Sequence, residues 1–593
     1  MQVYNTNLNM FKKTLYALIF SAFSIEAAYS QDTNTEFKSR PKEFEFTYKK
    51  GDSIIALKSP KIPNENNKII FQGKTPYPII FIHGLNSSSE TWNATTDYFD
   101  TQYNYIYGGR FDFCLNADNN NTLANKNFYP VSGADIAAFE TSVIEGDYYT
   151  VNFNVKIDGT FDTDVLSNQA AIAKQGAALK RVIERILQIT DKDKVILVGH
   201  SMGGLCSREY IQNSENRQSD GKHHVAKLLT LGTPHGGSNA SDSSLAGFTG
   251  VDVSSEAIRD LKETYYYSGE KSHFLFGGNE TQDNNNMNDN SSIPDFYNTD
   301  INCNGITNES SIMGLNQRPL DNLIDFSNII GRITNAFGTN ITTDGVVAEP
   351  SSKINQYYPA LTYPAKVFYF NSGYDIIENH TELPGYYDLI MQGLDEPEFK
   401  ELAYQVDINK EYNGYATVQE NTTSADNDFY KIVVADAVTA NIVVQNFGTG
   451  TGSILDNTGT LVGTIQNSNN GAINFSRSLT AGTYFLKLTT NSPTAASYQN
   501  PYKFTINATL NNQSTAFESV NFYPNPVSNI LTVENASFEK ATITNLIGKK
   551  LKEINASDLQ NTQSINMSDL SEGMYLITLE KENQLKTIKV IKE

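Results

Sequence analysis

The stretch Val195-Ile196-Leu197-Val198-Gly199-His200-Ser201-Met202-Gly203-Gly204 decides the fold. Its four leading apolar residues read as a buried strand. Ser201 follows between Gly199 and Gly203, and Leu205 to Gln212 can continue as a helix. A serine at such a strand-to-helix turn reads as a nucleophile elbow. The hydroxyl has to stand above the sheet on a strained turn. Glycines on either side remove the side chains that would block it. G-x-S-x-G alone occurs by chance in a long chain; here the strand before it and the helix after it supply the context.

A serine hydroxyl is a weak nucleophile until a base takes its proton, and the base needs an acid to orient it. On an elbow of this kind the chain order is serine, acid, histidine. The chain has 7 histidines. His83 and His200 precede Ser201. His223 and His224 lie in a polar turn, His235 directly after the next strand, and His273 in a long polar insertion. His380 alone leaves room for an acid, and it follows the run Val367-Phe368-Tyr369-Phe370 and a loop. Asp344, in Thr343-Asp344-Gly345-Val346-Val347, is the favoured acid, held in a tight turn by local backbone bonds. Asp375 and Glu378 are rivals by order, though they crowd His380. The developing oxyanion needs backbone donors. Met202 N–H is one, and Leu85 N–H, after the strand Pro78 to Ile82, is the other. Gly84 lets that backbone approach closely, and His83 reads as structural rather than basic.

Ile80-Phe81-Ile82-His83-Gly84-Leu85, Gly199-His200-Ser201-Met202-Gly203-Gly204 and Leu231-Gly232-Thr233-Pro234-His235-Gly236-Gly237-Ser238 together resemble bacterial triacylglycerol lipases and esterases of the α/β-hydrolase superfamily. The last motif is similar to a signature shared by those lipases and related lipid-anchor deacylases. The resemblance spans roughly residues 70 to 390. It implies a mostly parallel sheet with helices on both faces, a cap insertion over about 238–340, and hydrolysis of a carboxylic ester through an acyl-enzyme on Ser201. A triacylglycerol is the foremost substrate; a short-chain, polymer or lipid-anchor ester, an acyltransferase with the same triad, and a non-catalytic binding protein are the alternatives. No organic cofactor is implied. Some resembled lipases carry a structural calcium near the histidine loop, where Asp375 and Glu378 could serve.

At 593 residues the chain exceeds one domain, and its formal net charge of -21 argues against nucleic acid or an anionic membrane surface as partner. Of the 3 cysteines, Cys206 reads as a small buried residue behind the elbow, and Cys114 and Cys303 could pair. No C-x-x-C or H-E-x-x-H metal spacing is present. Lys12-Lys13, the apolar stretch Thr14 to Phe23 and Ala28-Tyr29-Ser30-Gln31 read as a signal peptide over 1–30. The apolar stretch is too short to span a bilayer, and the mature chain is expected to carry no transmembrane anchor.

The catalytic domain is expected over 31–410. Ala170 to Ile189 reads as an amphipathic helix feeding the nucleophile strand. The region between His83 and this helix, with its run Asn116 to Asn121, is expected to contain an insertion that shapes the site. In 238–340, polar tracts alternate with aromatic clusters (Tyr265-Tyr266-Tyr267, Phe274-Leu275-Phe276) that either line an acyl pocket or form the cap's own core.

Beyond about 410, short β-type runs such as Asp428 to Val434 and Tyr502 to Ile506 predict a β-sandwich over 411–512. It is similar to prepeptidase C-terminal domains, and serves as a spacer or a surface-binding module. Phe522-Tyr523-Pro524-Asn525-Pro526, Ile543 to Gly548, Leu570 to Ile577 and Lys586 to Lys592 closely resemble the C-terminal sorting domain of the type IX secretion system of Bacteroidetes, over 515–593. That resemblance implies a second small sandwich, the export machinery as partner, and a secreted or cell-surface product.

Overall fold

A computed structural model gives the protein's structure over residues 47–50, 53–54, 73–115, 137–161, 166–238, 251, 255–261, 264–267, 270–273, 315–334, 340–372, 376–417, 425–491, 497–510, 520–534, 538–546, 548–555, 562–581 and 584–593. The signal-peptide expectation, Cys303 and Phe274-Leu275-Phe276 lie outside these residues. The chain divides into two compact units, one up to Ala508 and one from Thr509.

The first unit is built on a sheet of Thr47–Lys50 (β1), Ser53–Ile54 (β2), Ile79–Ile82 (β3), Tyr107–Cys114 (β4), Ala137–Thr141 (β5), Tyr148–Asn152 (β6), Val195–His200 (β7) and Val225–Leu231 (β8). A separate hairpin, Thr264–Tyr267 (β9) and Glu270–His273 (β10), precedes the remaining strands Asp325–Thr334 (β11), Asn340–Ile341 (β12) and Lys366–Ser372 (β13). Spatial order is β12-β11-β8-β7-β3-β6-β4-β5-β1-β2, with β13 also paired to β11. From β4 through β6, β3, β7, β8 and β11 to β13 every pairing is parallel; β5 runs antiparallel to β4. β3, β6, β7 and β8 are buried at every position, as parallel strands covered on both faces must be.

Side chains of successive strand residues point to opposite faces. Ile80, Ile82, Val195 and Leu197 therefore join a core with the helices Ile172–Thr190 (α2) and Met202–Gln212 (α3). Ile79, Phe81, Ile196 and Val198 join another, covered by Asn93–Tyr98 (α1) and Tyr387–Gly393 (α6). The α2 stripe of Ile172, Leu179, Val182, Ile183, Ile186 and Leu187 is buried as predicted. Gly176 lets α2 press on α3, since a Cβ there would lie 2.6 Å from Glu209 Cγ.

The region after His83 supplies β4, β5 and β6 to the main sheet, and the run Asn116 to Asn121, where an insertion is expected, lies outside the described residues. Glycines obscure the strand pattern there: a Cβ on Gly146 would lie 2.4 Å from Gly108 Cα. One sequence expectation needs correction: the cap cannot run to residue 340, since β11 sits in the sheet between β8 and β13. Glu256–Leu261 (α4) likewise packs into the main core through Ala257 and Leu261, and Asp260 Oδ2 accepts from Ile172 N–H at 2.9 Å.

Tyr404–Gln405 (β14), Glu411–Gly414 (β15), Asp426–Val434 (β16), Val438–Gln445 (β17), Gly450–Asp456 (β18), Gln466–Asn467 (β19), Ile473–Leu479 (β20), Gly482–Thr490 (β21) and Tyr502–Leu510 (β22) form a two-sheet sandwich, β14-β16-β21-β18-β19 over β15-β22-β17-β20. It packs against the α/β domain. Tyr430, Ile442, Leu486 and Phe504 share one hydrophobic cluster with Phe81, Trp92 and Ile390. Tyr103 Oη donates to Tyr498 O at 2.6 Å, Gln405 N–H to Tyr77 Oη at 3.1 Å, and Lys192 Nζ pairs with Asp407 at 2.7 Å. The expected boundary near 410 therefore falls inside one continuous core.

The second unit contains Asn521–Tyr523 (β23), Ile530–Glu534 (β24), Lys540–Asn545 (β25), Lys550–Asn555 (β26), Thr562–Asn566 (β27), Gly573–Lys581 (β28) and Gln584–Lys592 (β29). Its sheets β23-β24-β27 and β26-β25-β28-β29 enclose Val527, Leu531, Val533, Ile543, Ile577, Leu579 and Val590.

Candidate active site

Ser201 ends β7 at φ 51°, ψ -123°, a conformation that a non-glycine residue holds only when its surroundings fix it. Its N–H donates to Leu231 O at 2.8 Å, and Gly204 N–H returns to Ser201 O at 3.1 Å. The flanking glycines have no room for a side chain. A Cβ on Gly199 would lie 2.5 Å from Gly204 N, and one on Gly203 would lie 2.4 Å from Ile82 O. Met202 is the first residue of α3, so its N–H lies among the unbonded donors of that helix. The Gly84-Leu85 loop overlies the serine; a Cβ on Gly84 would stand 2.8 Å from Ser201 Cβ. Leu85 is partly buried against the core.

Asp344 and His380 are brought together. Asp344 is fully buried. Its Oδ1 accepts from the N–H groups of Val346 and Val347 at 2.9 and 2.7 Å, the local bonds expected of that turn. Its Oδ2 takes His380 Nδ1 at 2.6 Å. A carboxylate only accepts, so the proton sits on Nδ1 and leaves Nε2 with a lone pair. His380 lies on the short helix Ile376–Glu382 (α5) rather than in the expected loop. Asp375 and the Glu378 side chain, rivals for the acid and candidates for calcium, lie outside the described residues.

Two glycines missed by sequence reasoning let the pair form. Gly232, at φ +53°, would place a Cβ 2.8 Å from Asp344 Oδ2 and 3.0 Å from His380 Nδ1. Gly331 on β11 would place one 2.6 Å from both Asp344 Cβ and Asn379 Oδ1. Gly232 stood in a quoted motif; nothing in the local pattern marked Gly331.

His200 Nε2–H donates to the backbone oxygen of His380 at 2.9 Å, and the two rings are 4.9 Å apart. This tethers His380 beside the residue preceding Ser201. His200 Nδ1 is enclosed without a partner; burial, then the neighbouring His380, hold the ring well below the usual histidine range. His83, read from sequence as structural rather than basic, has both ring nitrogens bonded to backbone. Its Nδ1–H donates to Gly84 O at 2.8 Å and its Nε2 accepts from Phe153 N–H at 3.0 Å. Burial pushes its pKa down to about 4, so the ring stays neutral and pins the loop carrying Gly84.

The other described histidine side chains are engaged elsewhere. His223 meets Asp321 at 3.0 Å, and His224 meets Asp220 at 3.0 Å. His235 is fixed between Arg208 Nη1 and Thr230 Oγ1, each at 3.3 Å. Carboxylates close enough to share a metal ion, among the described residues, lie at the junction with the sandwich. No helix of the described residues is long and apolar enough to cross a membrane.

Residues 74–251 match the family described as the PGAP1-like alpha/beta domain. Residues 521–593 match the secretion system C-terminal sorting domain. No curated protein sequence matches the chain. Among solved structures, the chain is similar to the lin2722 gene products of Listeria innocua, at 16% identity over 56% of this chain and 98% of that one, with a TM-score of 0.30. It is similar to the mature Bacillus licheniformis lipase BlEst2 at 18% identity over 57% and 96% of the two chains, TM-score 0.23. It also resembles the pre-peptidase C-terminal domain of Bacillus anthracis collagenase, at 17% identity over 19% and 99%, TM-score 0.15. These three likenesses carry no argument about activity. Residues 74–251 thus carry a PGAP1-like α/β domain, and the C-terminal sorting domain marks the chain for type IX secretion, to the outer surface or beyond.

Proposed function

We propose that the protein is a serine hydrolase of carboxylic esters, with triacylglycerols as the foremost substrate class. The observation that carries this reading is the 2.6 Å bond between His380 Nδ1 and the buried Asp344, formed beside a serine on a strained elbow. In this reading His380 Nε2 takes the Ser201 proton as Oγ attacks the ester carbonyl. Asp344 keeps the imidazole in the tautomer that can do so and stabilises the imidazolium. The Leu85 and Met202 N–H groups receive the oxyanion; losing one such donor typically costs about 2.7–4 kcal/mol. The alcohol leaves with the proton from His380, and water then releases the acyl group from Ser201. No organic cofactor enters these steps. Residues 31–410 carry the catalysis, with 1–30 and 515–593 serving export and 411–512 the sandwich.

The test is hydrolysis of p-nitrophenyl esters from acetate to palmitate by the full chain, with Ser201→Ala beside it. A rate rising with chain length and lost in the variant supports a lipase. A preference for acetate replaces the triacylglycerol with a short-chain ester. No Ser201-dependent hydrolysis of any ester overturns the proposal.

A further inference from the structure

At the end of the sheet opposite Ser201, six carboxylates gather around two ammonium groups. Asp395 and Glu396 follow α6, and Glu398 comes just after them. Asp426 and Asp428 open β16 of the sandwich. Asp325 starts β11, Lys366 starts β13, and Lys227 lies on β8. Lys227 Nζ pairs with Asp325 Oδ2 at 2.5 Å and donates to Asp395 O at 3.0 Å. Lys366 Nζ pairs with Asp395 Oδ2 and donates to Glu396 O at 2.9 Å; Glu398 Oε1 is 3.9 Å away.

The two lysines leave several carboxylates without a counter-charge. Glu396 Oε2 accepts a backbone N–H from Tyr415 at 3.0 Å, and its other polar partner is the uncharged Tyr430 hydroxyl. Asp426 Oδ2 accepts from Thr417 N–H at 2.8 Å, and Asp428 Oδ2 from Tyr502 Oη at 2.6 Å. Asp395 and Asp428 are wholly buried. The second oxygen of each, Oδ1, is enclosed with no hydrogen-bond partner, as is the Tyr404 hydroxyl. A bare, buried carboxylate oxygen is a costly atom, because nothing replaces the water it has lost.

We infer that Asp395, Glu396 and Asp428 bind a Ca²⁺ ion at the junction between the α/β domain and the sandwich. One oxygen from each lies within 4.8 Å of the others. Oxygens bound to one Ca²⁺ at about 2.3–2.6 Å stand up to about 5 Å apart. An all-oxygen donor set without His or Cys selects a hard cation over zinc or copper. Asp395, Glu398 and Asp426 form an adjoining group of the same kind, and Glu398, partly exposed, gives that side a route from solvent. Because one ligand comes from β16 and two follow α6, the ion fastens the sandwich to the α/β domain. These ligands are distinct from Asp375 and Glu378, the pair considered from sequence.

The test uses the full chain stripped with EGTA. Titration calorimetry with CaCl₂ at pH 7.5 should give one ion per chain. Melting of the first unit should rise by roughly 3 °C or more at a hundredfold excess over Kd. Mg²⁺ should leave the melt unmoved. Asp428→Asn and Glu396→Gln should lose both responses, while Asp456→Asn, at the end of β18 in the same sandwich, should keep them. No binding heat in the wild type, with equal melting in CaCl₂ and EGTA, overturns the inference, and so does undiminished binding in both ligand variants. Should a ligand variant fail to fold, the wild-type titration decides alone. Ester hydrolysis is not the readout, so failure here is distinct from failure of the proposed activity.

Discussion

Replacing Gly84 by alanine isolates the loop over Ser201. The backbone there is not in the left-handed region, so the conformation accepts alanine. The obstacle is contact alone. The new methyl would stand 2.8 Å from Ser201 Cβ and 3.2 Å from both His200 Nδ1 and His200 O. Carbon atoms settle at about 3.5–4.0 Å, so the loop must retreat by about 0.7 Å or more from the serine. Ser201 and His200 cannot yield instead, being held by the Leu231 and His380 backbone oxygens. Overpacking of this size costs about 1–3 kcal/mol of stability. The catalytic loss should be larger in effect. Withdrawing the Leu85 N–H should lower kcat by about 10²–10³-fold, with KM changed little, because the ester's ground state does not depend on that donor. Steady-state kinetics on p-nitrophenyl butyrate, with a urea melt of the same preparation, measures both. A Gly84→Ala enzyme that keeps kcat within about threefold of wild type would refute the placing of the oxyanion donor on this loop.

Asp344→Asn should preserve the turn, since an amide oxygen still accepts from Val346 and Val347. Its NH₂ cannot accept from His380 Nδ1–H, so the wrong tautomer is favoured and kcat should fall by about 10⁴-fold with an unchanged melting temperature. His83 titrates near 4 when folded against an ordinary 6.5. Between those values the unfolded chain binds a proton that the buried ring refuses, so stability must fall as pH drops from about 6.5 to 4. The amount is of the order of 3 kcal/mol, and urea melts of His83→Gln should show a flatter pH dependence than wild type. Gly232→Ala, strained by φ +53° and by contact with the Asp344–His380 pair, should destroy ester hydrolysis while the sandwich retains its fold, as near-ultraviolet circular dichroism of its tyrosines would report. A chain ending at residue 403 should aggregate, because Phe81, Trp92 and Ile390 share their core with sandwich residues; a soluble, cooperative melt from that fragment would contradict the shared core.

The elbow was legible because its chemistry forces a strand, two glycines and a helix into ten consecutive residues. Asp344 and His380 followed from chain order and elimination. β11 was not legible because Ser327, Asn328 and Gly331, all buried, interrupt its apolar residues. Two of the three bonds of Asn328 are to groups far along the chain, Thr230 Oγ1 at 2.6 Å and Ile354 N–H at 3.3 Å. The strands after His83 were hidden by glycines whose reason is a contact between chain segments. The sandwich was recognised as a fold, yet its fusion to the α/β domain rests on pairs such as Tyr103–Tyr498 and Lys192–Asp407, far apart in sequence and without a local pattern.

The central claim is that Ser201 is a nucleophile activated by His380. Incubation with a fluorophosphonate, followed by intact mass and peptide mapping, tests it most directly, because the reagent needs an activated serine but no particular ester. The account predicts one adduct per chain, on Ser201, formed at least a hundredfold more slowly in Asp344→Asn and absent in Ser201→Ala. A folded protein that takes up no label, or takes it up at another residue, would contradict it.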